Sequence, residues 1–151
     1  MSLESKINED IKVTMLARDS EKLEALRAIK AALLLEKTKE GGSGDIPEAI
    51  ELKILQKLVK QRKESAEIYQ SGNREDLSKK ELFEAGIIET YLPKQIPVEE
   101  VTGIILKIIE QTGAASIKDM GKVMGLASRE LAGKADNKMI SEVVKSLLTG
   151  V

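Results

Sequence analysis

The residues of this sequence most suited to form a binding site are cations that recur at helical spacing. Between positions 52 and 64 there is no acidic residue, and five cations occupy this stretch: Lys53, Lys57, Lys60, Arg62 and Lys63. On a helix, Lys53, Lys57 and Lys60 would share one ridge, because residues three and four apart are neighbours. Such a ridge can neutralise phosphates and release their counterions. The alternative is an ordinary solvated helix face.

A second cationic set lies in the C-terminal third of the chain. Acidic residues offset it only in part, and its members are Lys118, Lys122, Arg129, Lys134, Lys138 and Lys145. Lys118 and Lys122 are four residues apart and share a predicted helix face, beside Gly121 and Gly125. The missing side chains of these glycines would let another backbone approach closely. Tight packing between helices needs small residues at the same spacing, and the spacing alone favours packing.

The residue types that are missing exclude whole classes of catalytic site. The sequence has no Cys and no His, which removes thiolate nucleophiles, Ser-His-Asp catalysis, disulfides and the usual zinc ligands. The adjacent acids Glu75-Asp76 and Glu99-Glu100 are typical of a first helical turn rather than of a catalytic carboxylate pair. We therefore expect no catalytic residue, no metal and no cofactor.

The overall charge offers no general attraction to a polyanion, because 24 basic residues are balanced by 25 acidic ones in a chain of 151 residues. Affinity for nucleic acid must come from a local patch, so we expect the cations to gather into one continuous strip. One Phe, two Tyr and no Trp argue against binding by base stacking. Recognition of RNA shape and backbone fits this composition better.

The sequence shows no segment that predicts a membrane or secretory location. Its longest apolar stretches, at 31–35 and 104–106, are far shorter than the roughly 18 to 20 residues that span a bilayer. The opening Met1-Ser2-Leu3-Glu4 lacks the basic region of a signal peptide. We expect a cytoplasmic protein with no membrane contact.

Helical periodicity predicts the elements that position the cations. Four N-terminal helices are indicated, over about the first 15 residues and over about 21–39, 48–70 and 75–92. Ser20 and Asn73 are predicted to cap the second and fourth helices, and Gly41-Gly42-Ser43-Gly44 predicts a linker before the third. The third helix is predicted to bury Ile50, Ile54, Leu58 and Ile68, and Phe83 and Tyr91 are predicted in the core or at a helix junction.

Three shorter helices are predicted beyond Pro93 and Pro97, over about 98–111, 117–131 and 137–148, each followed by a glycine. The β-branched run at 101–109 could form a strand, but no other segment has a composition suited to pairing with it. The fold class predicted is all-α. An N-terminal four-helix region at residues 1–92 is joined to a C-terminal three-helix subdomain at residues 97–151.

Several blocks, in the same order along almost the whole chain, resemble the YqeY family. The C-terminal blocks are Lys118-Asp119-Met120-Gly121-Lys122-Val123-Met124-Gly125 and Gly133-Lys134-Ala135-Asp136. The upstream blocks are Leu26-Arg27-Ala28-Ile29-Lys30-Ala31-Ala32, Lys60-Gln61-Arg62-Lys63-Glu64-Ser65, Gly72-Asn73-Arg74-Glu75-Asp76-Leu77 and Tyr91-Leu92-Pro93-Lys94-Gln95. Asn137 departs from the Gly that YqeY-like chains often have after Ala-Asp.

This resemblance implies a helical N-terminal region and a C-terminal module similar to a tail domain of the glutamine-dependent aspartyl/glutamyl-tRNA amidotransferase. In that enzyme the similar module contacts the body of tRNA and is an appendage to the catalytic centre. The match transfers to Gly121, Lys122, Gly133, Lys134 and Ala135. The backbone residues of the motif are Gly121, Gly125, Gly133 and Ala135. Lys134 precedes the last predicted helix, whose first amides suit a phosphate.

Three hypotheses about function follow from the residues and the resemblance. The first is a tRNA-binding or structured-RNA-binding accessory protein that uses Lys118, Lys122, Lys134 and Lys138, with help from Lys60, Arg62 and Lys63. The second is an adaptor for an aminoacylation or amidotransferase enzyme, which would expose Met120, Val123, Met124 and Leu126 instead of burying them in the core. The third is the family-associated carbon–nitrogen ligase activity with glutamine as amido-N-donor, although the chain has no nucleotide-binding loop and is not expected to be catalytic alone.

Overall fold

The computed structural model describes residues 2–39 and 44–150, and the described residues are helical without strands, which confirms the all-α prediction. Four helices come first: α1 (Leu3–Leu16), α2 (Ser20–Lys39), α3 (Glu48–Ser71) and α4 (Glu75–Glu89). After them come α5 (Val98–Thr112), a short 3-10 helix (Ile117–Asp119), α6 (Met120–Glu130) and α7 (Asn137–Thr149). The predicted linker lies outside the described residues except for Gly44.

Local sequence signals explain most helix ends. Asp136 caps α7, where its carboxylate accepts a hydrogen bond from the backbone N–H of Lys138 at 3.3 Å. Gly113 and Gly150 end α5 and α7 in the left-handed conformation, with φ of 70° and 74°. Glycine adopts this conformation without the steric penalty that other residues meet.

Two predicted caps are wrong by one residue. Asp19 rather than Ser20 caps α2, because its Oδ1 accepts from the N–H of Lys22 at 3.2 Å. Asn73 has a φ of 60° and so cannot adopt the extended backbone typical of an N-cap, and the residue before α4 is Arg74. The fourth helix also ends at Glu89, earlier than predicted, in a turn that continues to Leu92.

The chain divides into two compact units, Met1–Leu92 and Pro93–Val151, here called unit 1 and unit 2. In unit 1, α3 and α4 form a helical pair, in which the Ser78 hydroxyl donates to the carbonyl of Ala66 at 2.9 Å. The buried core of unit 1 consists of Ile7, Leu26, Ile29, Leu33, Leu55, Val59, Ala85 and Ile88.

The buried side of α3 differs from the prediction. Leu55 and Val59 are buried, whereas Ile54 and Leu58 pack only partly buried against them, and Ile68 is 71% exposed. Phe83 is 40% exposed, so of its two predicted places, core or helix junction, the core is wrong. Tyr91 does lie at a helix junction, where its hydroxyl donates to the carboxylate of Asp10. Burial, followed by this hydrogen bond, raises the pKa of Tyr91.

Unit 2 is a three-helix unit with an apolar core of its own. Its buried members come from all three helices and from the loop before α7: Val101, Ile105, Ile108, Val123, Ala127, Leu131, Ala135, Ile140 and Val144. Each helix contributes residues three or four apart, as an amphipathic helix requires. The opposite faces of α5, α6 and α7 are therefore left to solvent.

Candidate nucleic-acid interface

Lys118 and Lys122 lie at the beginning of α6, in a turn held by one carboxylate. Asp119 Oδ2 accepts from the backbone N–H groups of Ala115 and Ser116 at 3.0 and 3.3 Å, so that Ser116 and Asp119 form a capping box. These hydrogen bonds, with a contribution from the charge of Lys122, lower the pKa of Asp119. The turn thus positions Lys118 in the 3-10 helix and Lys122 in the first turn of α6, where both side chains are exposed.

The outer face of α6 beside Lys122 is exposed and carries two glycines. Val123 and Ala127 face the core, so the exposed Gly121 and Gly125 lie on the other side with Lys122. A Cβ atom added at either glycine would meet nothing within 4 Å beyond the helix itself. Tight packing against another helix of the described chain, which their spacing favoured, is therefore wrong.

Hydrogen bonds from Gln95 and Ile96 hold the loop between α6 and α7, and the side chain of Lys134 in this loop is exposed. Gly133 is buried with a φ of 73°, and its carbonyl accepts a hydrogen bond from Nε2 of Gln95. The carbonyl of Lys134 accepts from the backbone N–H of Ile96 at 3.0 Å, and Ala135 is 4% exposed. Gly133 and Ala135 therefore hold the loop in place, whereas the side chain of Lys134 is exposed.

The beginning of α7 is less suited to a phosphate than its sequence indicates. Asp136 already accepts a hydrogen bond from the N–H of Lys138, and its carboxylate places a negative charge at the position that an anion would occupy. Lys138 itself is exposed. The lysine side chains, rather than the helix terminus, are the groups available to an anion here.

The four C-terminal lysines lie near the two ends of α6. Lys118 and Lys122 lie at the beginning of α6, and Lys134 and Lys138 follow its end. Lys122 precedes the last residue of α6, Glu130, by eight residues, which corresponds to a rise of roughly 12 Å along the helix axis. Within residues 2–39 and 44–150, ion pairs shorter than 4.0 Å involve none of the four.

The cations of α3 have different surroundings. Arg62 Nε lies 3.3 Å from Glu84 Oε2, and the two side chains are only 17% and 12% exposed. Arg62 also donates from its guanidinium to the carbonyl of Leu58 at 3.3 Å. Burial raises the pKa of Glu84, and the charge of Arg62 partly offsets this. Arg62 is therefore part of the α3–α4 packing and is not placed to contact RNA, contrary to the prediction.

Lys63 and Lys60, the other α3 cations predicted to contact RNA, are both exposed. Lys63 Nζ lies 2.7 Å from Glu89 Oε1, although the lysine side chain is 56% exposed. Lys60 is exposed, and the ion pairs among the described residues do not include it. Of the three α3 cations predicted to help, Lys60 alone combines exposure with the absence of an ion pair to a described residue.

Sequence reasoning missed Lys94. Gln95 and Ile96 bind the backbone of Gly133 and Lys134, so the exposed Lys94 is held beside the loop that carries Lys134. The flanking prolines marked this stretch as a boundary between subdomains. No sequence signal predicts its hydrogen bonds to a loop nearly 40 residues later.

The residues of the adaptor hypothesis are mostly internal. Val123 is fully buried, and Met120 and Met124 pack partly buried against the core of unit 2, whereas Leu126 is 38% exposed.

The described residues contain no group of three or more acids that could hold a metal ion. Among the helices of the described chain, none is long and apolar enough to cross a membrane.

Comparison with known proteins gives consistent matches along the chain. The family model described as Yqey-like protein matches residues 4–148. A curated relative from Meyerozyma guilliermondii is 31% identical over 96% of this chain and 75% of its own length, and one from Vanderwaltozyma polyspora is 30% identical over 93% and 78%. A relative from Saccharomyces cerevisiae is 30% identical over 94% of this chain and 75% of its own.

These relatives share the name altered inheritance of mitochondria protein 41, mitochondrial. That name contradicts the cytoplasmic location expected from the sequence, because it places the relatives in the mitochondrion. That expectation, which rested on the pattern of the opening residues and on the length of the apolar stretches, is therefore contradicted. The family model covers nearly the whole chain, and the family expected from the residue blocks is thereby confirmed: the chain belongs to the YqeY family.

Proposed function

We propose that this protein is an RNA-binding accessory protein, which contacts the backbone of tRNA or a similarly folded RNA through the outer surface of unit 2. The observation that carries the proposal is the set of four exposed lysines, Lys118, Lys122, Lys134 and Lys138, which make no ion pair with the described residues. Cations that are not neutralised within the protein are free to replace the counterions of phosphates.

The shape of the surface supports a backbone as the ligand. Gly121 and Gly125 leave the face of α6 beside Lys122 without side chains, so a sugar–phosphate chain can approach the helix closely. The rise of roughly 12 Å from Lys122 to the end of α6, beyond which Lys134 and Lys138 follow, suits a ligand that presents many phosphates rather than a single one. Folded RNA offers such closely spaced phosphates together with 2′-hydroxyls.

Two further considerations are compatible with this function. The resemblance of the C-terminal blocks to the amidotransferase tail favours tRNA among structured RNAs. Recognition of a backbone by lysines does not depend on the cell compartment, so the mitochondrial names of the relatives leave the proposal unchanged.

The test is a titration of fluorescent tRNA by anisotropy across a salt series. We expect binding tighter than about 0.1 mM at low salt, with an affinity that falls as salt rises. The variant with Lys118→Gln, Lys122→Gln, Lys134→Gln and Lys138→Gln should bind at least tenfold more weakly. Its salt slope should fall by about 0.7 for each lost phosphate contact.

A matched control carries the same change of charge at other exposed cations that make no ion pair with a described residue, namely Lys12→Gln, Arg27→Gln, Lys79→Gln and Lys107→Gln. Equal weakening in both variants would show a general charge effect and would contradict the proposed surface. So would binding by the unchanged protein that has no salt slope.

A second candidate is the adaptor function, favoured by the exposure of Ile117 and Leu126 on unit 2 at 45% and 38%. An aminoacylation or amidotransferase enzyme would then dock on α6. Leu126→Lys separates the two functions, because it should abolish docking of a partner protein while leaving tRNA affinity equal or slightly higher.

A further inference from the structure

Unit 1 carries a second group of exposed cations, distinct from the surface proposed on unit 2. Lys53, Lys57 and Lys60, here called the α3 ridge, are all exposed on the first two-thirds of α3. The neighbouring cations Arg62 and Lys63 are engaged with Glu84 and Glu89 of α4. The carboxylates of α4 thus neutralise one end of the cationic run and leave its other end charged.

The members of the α3 ridge point to the same side of the helix. Their spacing of four and then three residues places them on one face, and Leu55 and Val59 on the opposite face are buried in the core of unit 1. From Lys53 to Lys60 the axis rises roughly 10 Å. A duplex strand carries one phosphate per about 3.4 Å of axis, so the ridge has the length of about three successive phosphates.

The composition of this face favours a polynucleotide over a lipid surface. A helix that binds in a membrane interface needs an exposed apolar face beside its cations. The apolar residues between Lys53 and Lys60 are buried or partly buried in unit 1, and the exposed large apolar residue of α3 is Ile68, two turns beyond the ridge. Purely ionic contact without insertion is the mode of binding typical of a nucleic-acid backbone.

We propose that the α3 ridge is a second contact for the backbone of the RNA, made by unit 1 independently of the lysines of unit 2. The inference rests on the proposed function for the class of ligand, and assigns a separate set of residues to it. Where one RNA contacts both units, the second contact forms within the same complex, which raises the overall affinity. It also adds to the salt dependence in proportion to the phosphates contacted.

The experiment compares three variants of the full chain for binding to tRNA over a salt series. The first variant has Lys53→Gln, Lys57→Gln and Lys60→Gln, and the second has the four substitutions on unit 2 described above. The third is a charge-matched control with Lys12→Gln, Lys79→Gln and Lys107→Gln, which are exposed and make no ion pair with a described residue. We expect the ridge variant to lose about ten- to a hundredfold in affinity at 0.1 M salt, with a slope lower by about 2, and the control to change little.

A second measurement on the unchanged protein keeps the test independent of folding. Lysine acetylation followed by mass spectrometry should show protection of Lys53, Lys57 and Lys60 by tRNA, while Lys12 and Lys79 stay reactive. Vesicles containing anionic lipid form a separate arm, in which the ridge variant should bind like the unchanged protein.

The outcomes distinguish the two proposals. A ridge variant equal to the control, or ridge lysines that tRNA does not protect, overturns this inference while the surface on unit 2 stands. A loss confined to the ridge variant supports the inference and contradicts the residues proposed on unit 2. A loss of vesicle binding without a loss of tRNA binding assigns the ridge to lipid and overturns the inference, and no binding of tRNA by the unchanged protein overturns both.

Discussion

The two units use charged side chains in opposite ways. In unit 1, ion pairs join different helices, as in Lys37–Glu4, Lys80–Glu24 and Arg62–Glu84, with nitrogen–oxygen distances of 2.7, 3.1 and 3.3 Å. In the part of unit 2 that the structure describes, no ion pair shorter than 4.0 Å occurs. The cations of unit 2 are therefore available to bind a ligand, whereas several cations of unit 1 contribute to the packing of the helices.

The contrast between the units shows that a count of cations along the sequence does not predict which of them form a binding surface. Exposed ion pairs contribute little to stability, but a pair shielded from water removes both charges from the surface and makes each dependent on the other. Arg62 and Lys60 are two residues apart, and only their surroundings distinguish a packing residue from a candidate ligand contact.

The largest expected effect is the loss of a shielded cation in unit 1. Arg62→Met leaves Glu84 largely buried without its positive neighbour, and we expect the free energy of unfolding to fall by roughly 3 kcal/mol at neutral pH. Because burial then raises the pKa of Glu84 further, the loss should shrink as the pH falls and the carboxyl becomes neutral. Urea unfolding followed by circular dichroism at several pH values measures both effects.

The control for this prediction lies in unit 2. Lys122→Met removes an exposed cation and should change stability by no more than about 0.5 kcal/mol. The double variant with Arg62→Met and Glu84→Leu should regain most of the lost stability, because neither charge is then left buried alone. Equal losses for Arg62→Met and Lys122→Met would remove the distinction between the units.

A smaller effect, of opposite sign, is expected on the open face of α6. Gly125→Ala should raise the free energy of unfolding by about 0.5 to 1 kcal/mol, because alanine favours the helix interior and its Cβ meets no neighbour. Urea unfolding of the variant and of the unchanged protein measures the change. Reduced tRNA affinity of the same variant would show that RNA approaches the helix closely at Gly125. Gly133→Ala is the contrasting case, since its φ of 73° makes a loss of roughly 1 to 2 kcal/mol the expected result.

The smallest effect concerns the turn that positions Lys118 and Lys122. The pKa of Asp119 is lowered in the folded state, so its stabilising contribution is complete above the unfolded pKa and is lost as pH falls through the folded one. Asp119→Asn should therefore be less stable than the unchanged protein at neutral pH, and the difference should disappear in acid. A difference that persists at low pH would mean that the carboxylate charge does not stabilise this turn.

Some features could be predicted from local signals and others could not. Helices α5 and α7 were predicted to within a residue or two, because a first-turn acid or cap at one end and a glycine at the other are short-range signals. The exposure of Ile68 and Phe83 was not predicted, because apolar residues mark a helix face only when the neighbouring helices and their phase are known. The placement of Lys94 beside Lys134 depended on hydrogen bonds between distant segments.

The amino-acid sequence by itself determined that the chain is helical, where most of its helices begin and end, and that it lacks the residue types of thiol, histidine and zinc chemistry. These properties depend on composition and on interactions between residues at most four apart. Which cations have a carboxylate partner depends on the packing of the helices, since Glu84 and Glu89 reach Arg62 and Lys63 only when α4 packs against α3. Tertiary structure also decided that the glycines of α6 face outward, because the position of a helix face depends on what the other helices cover.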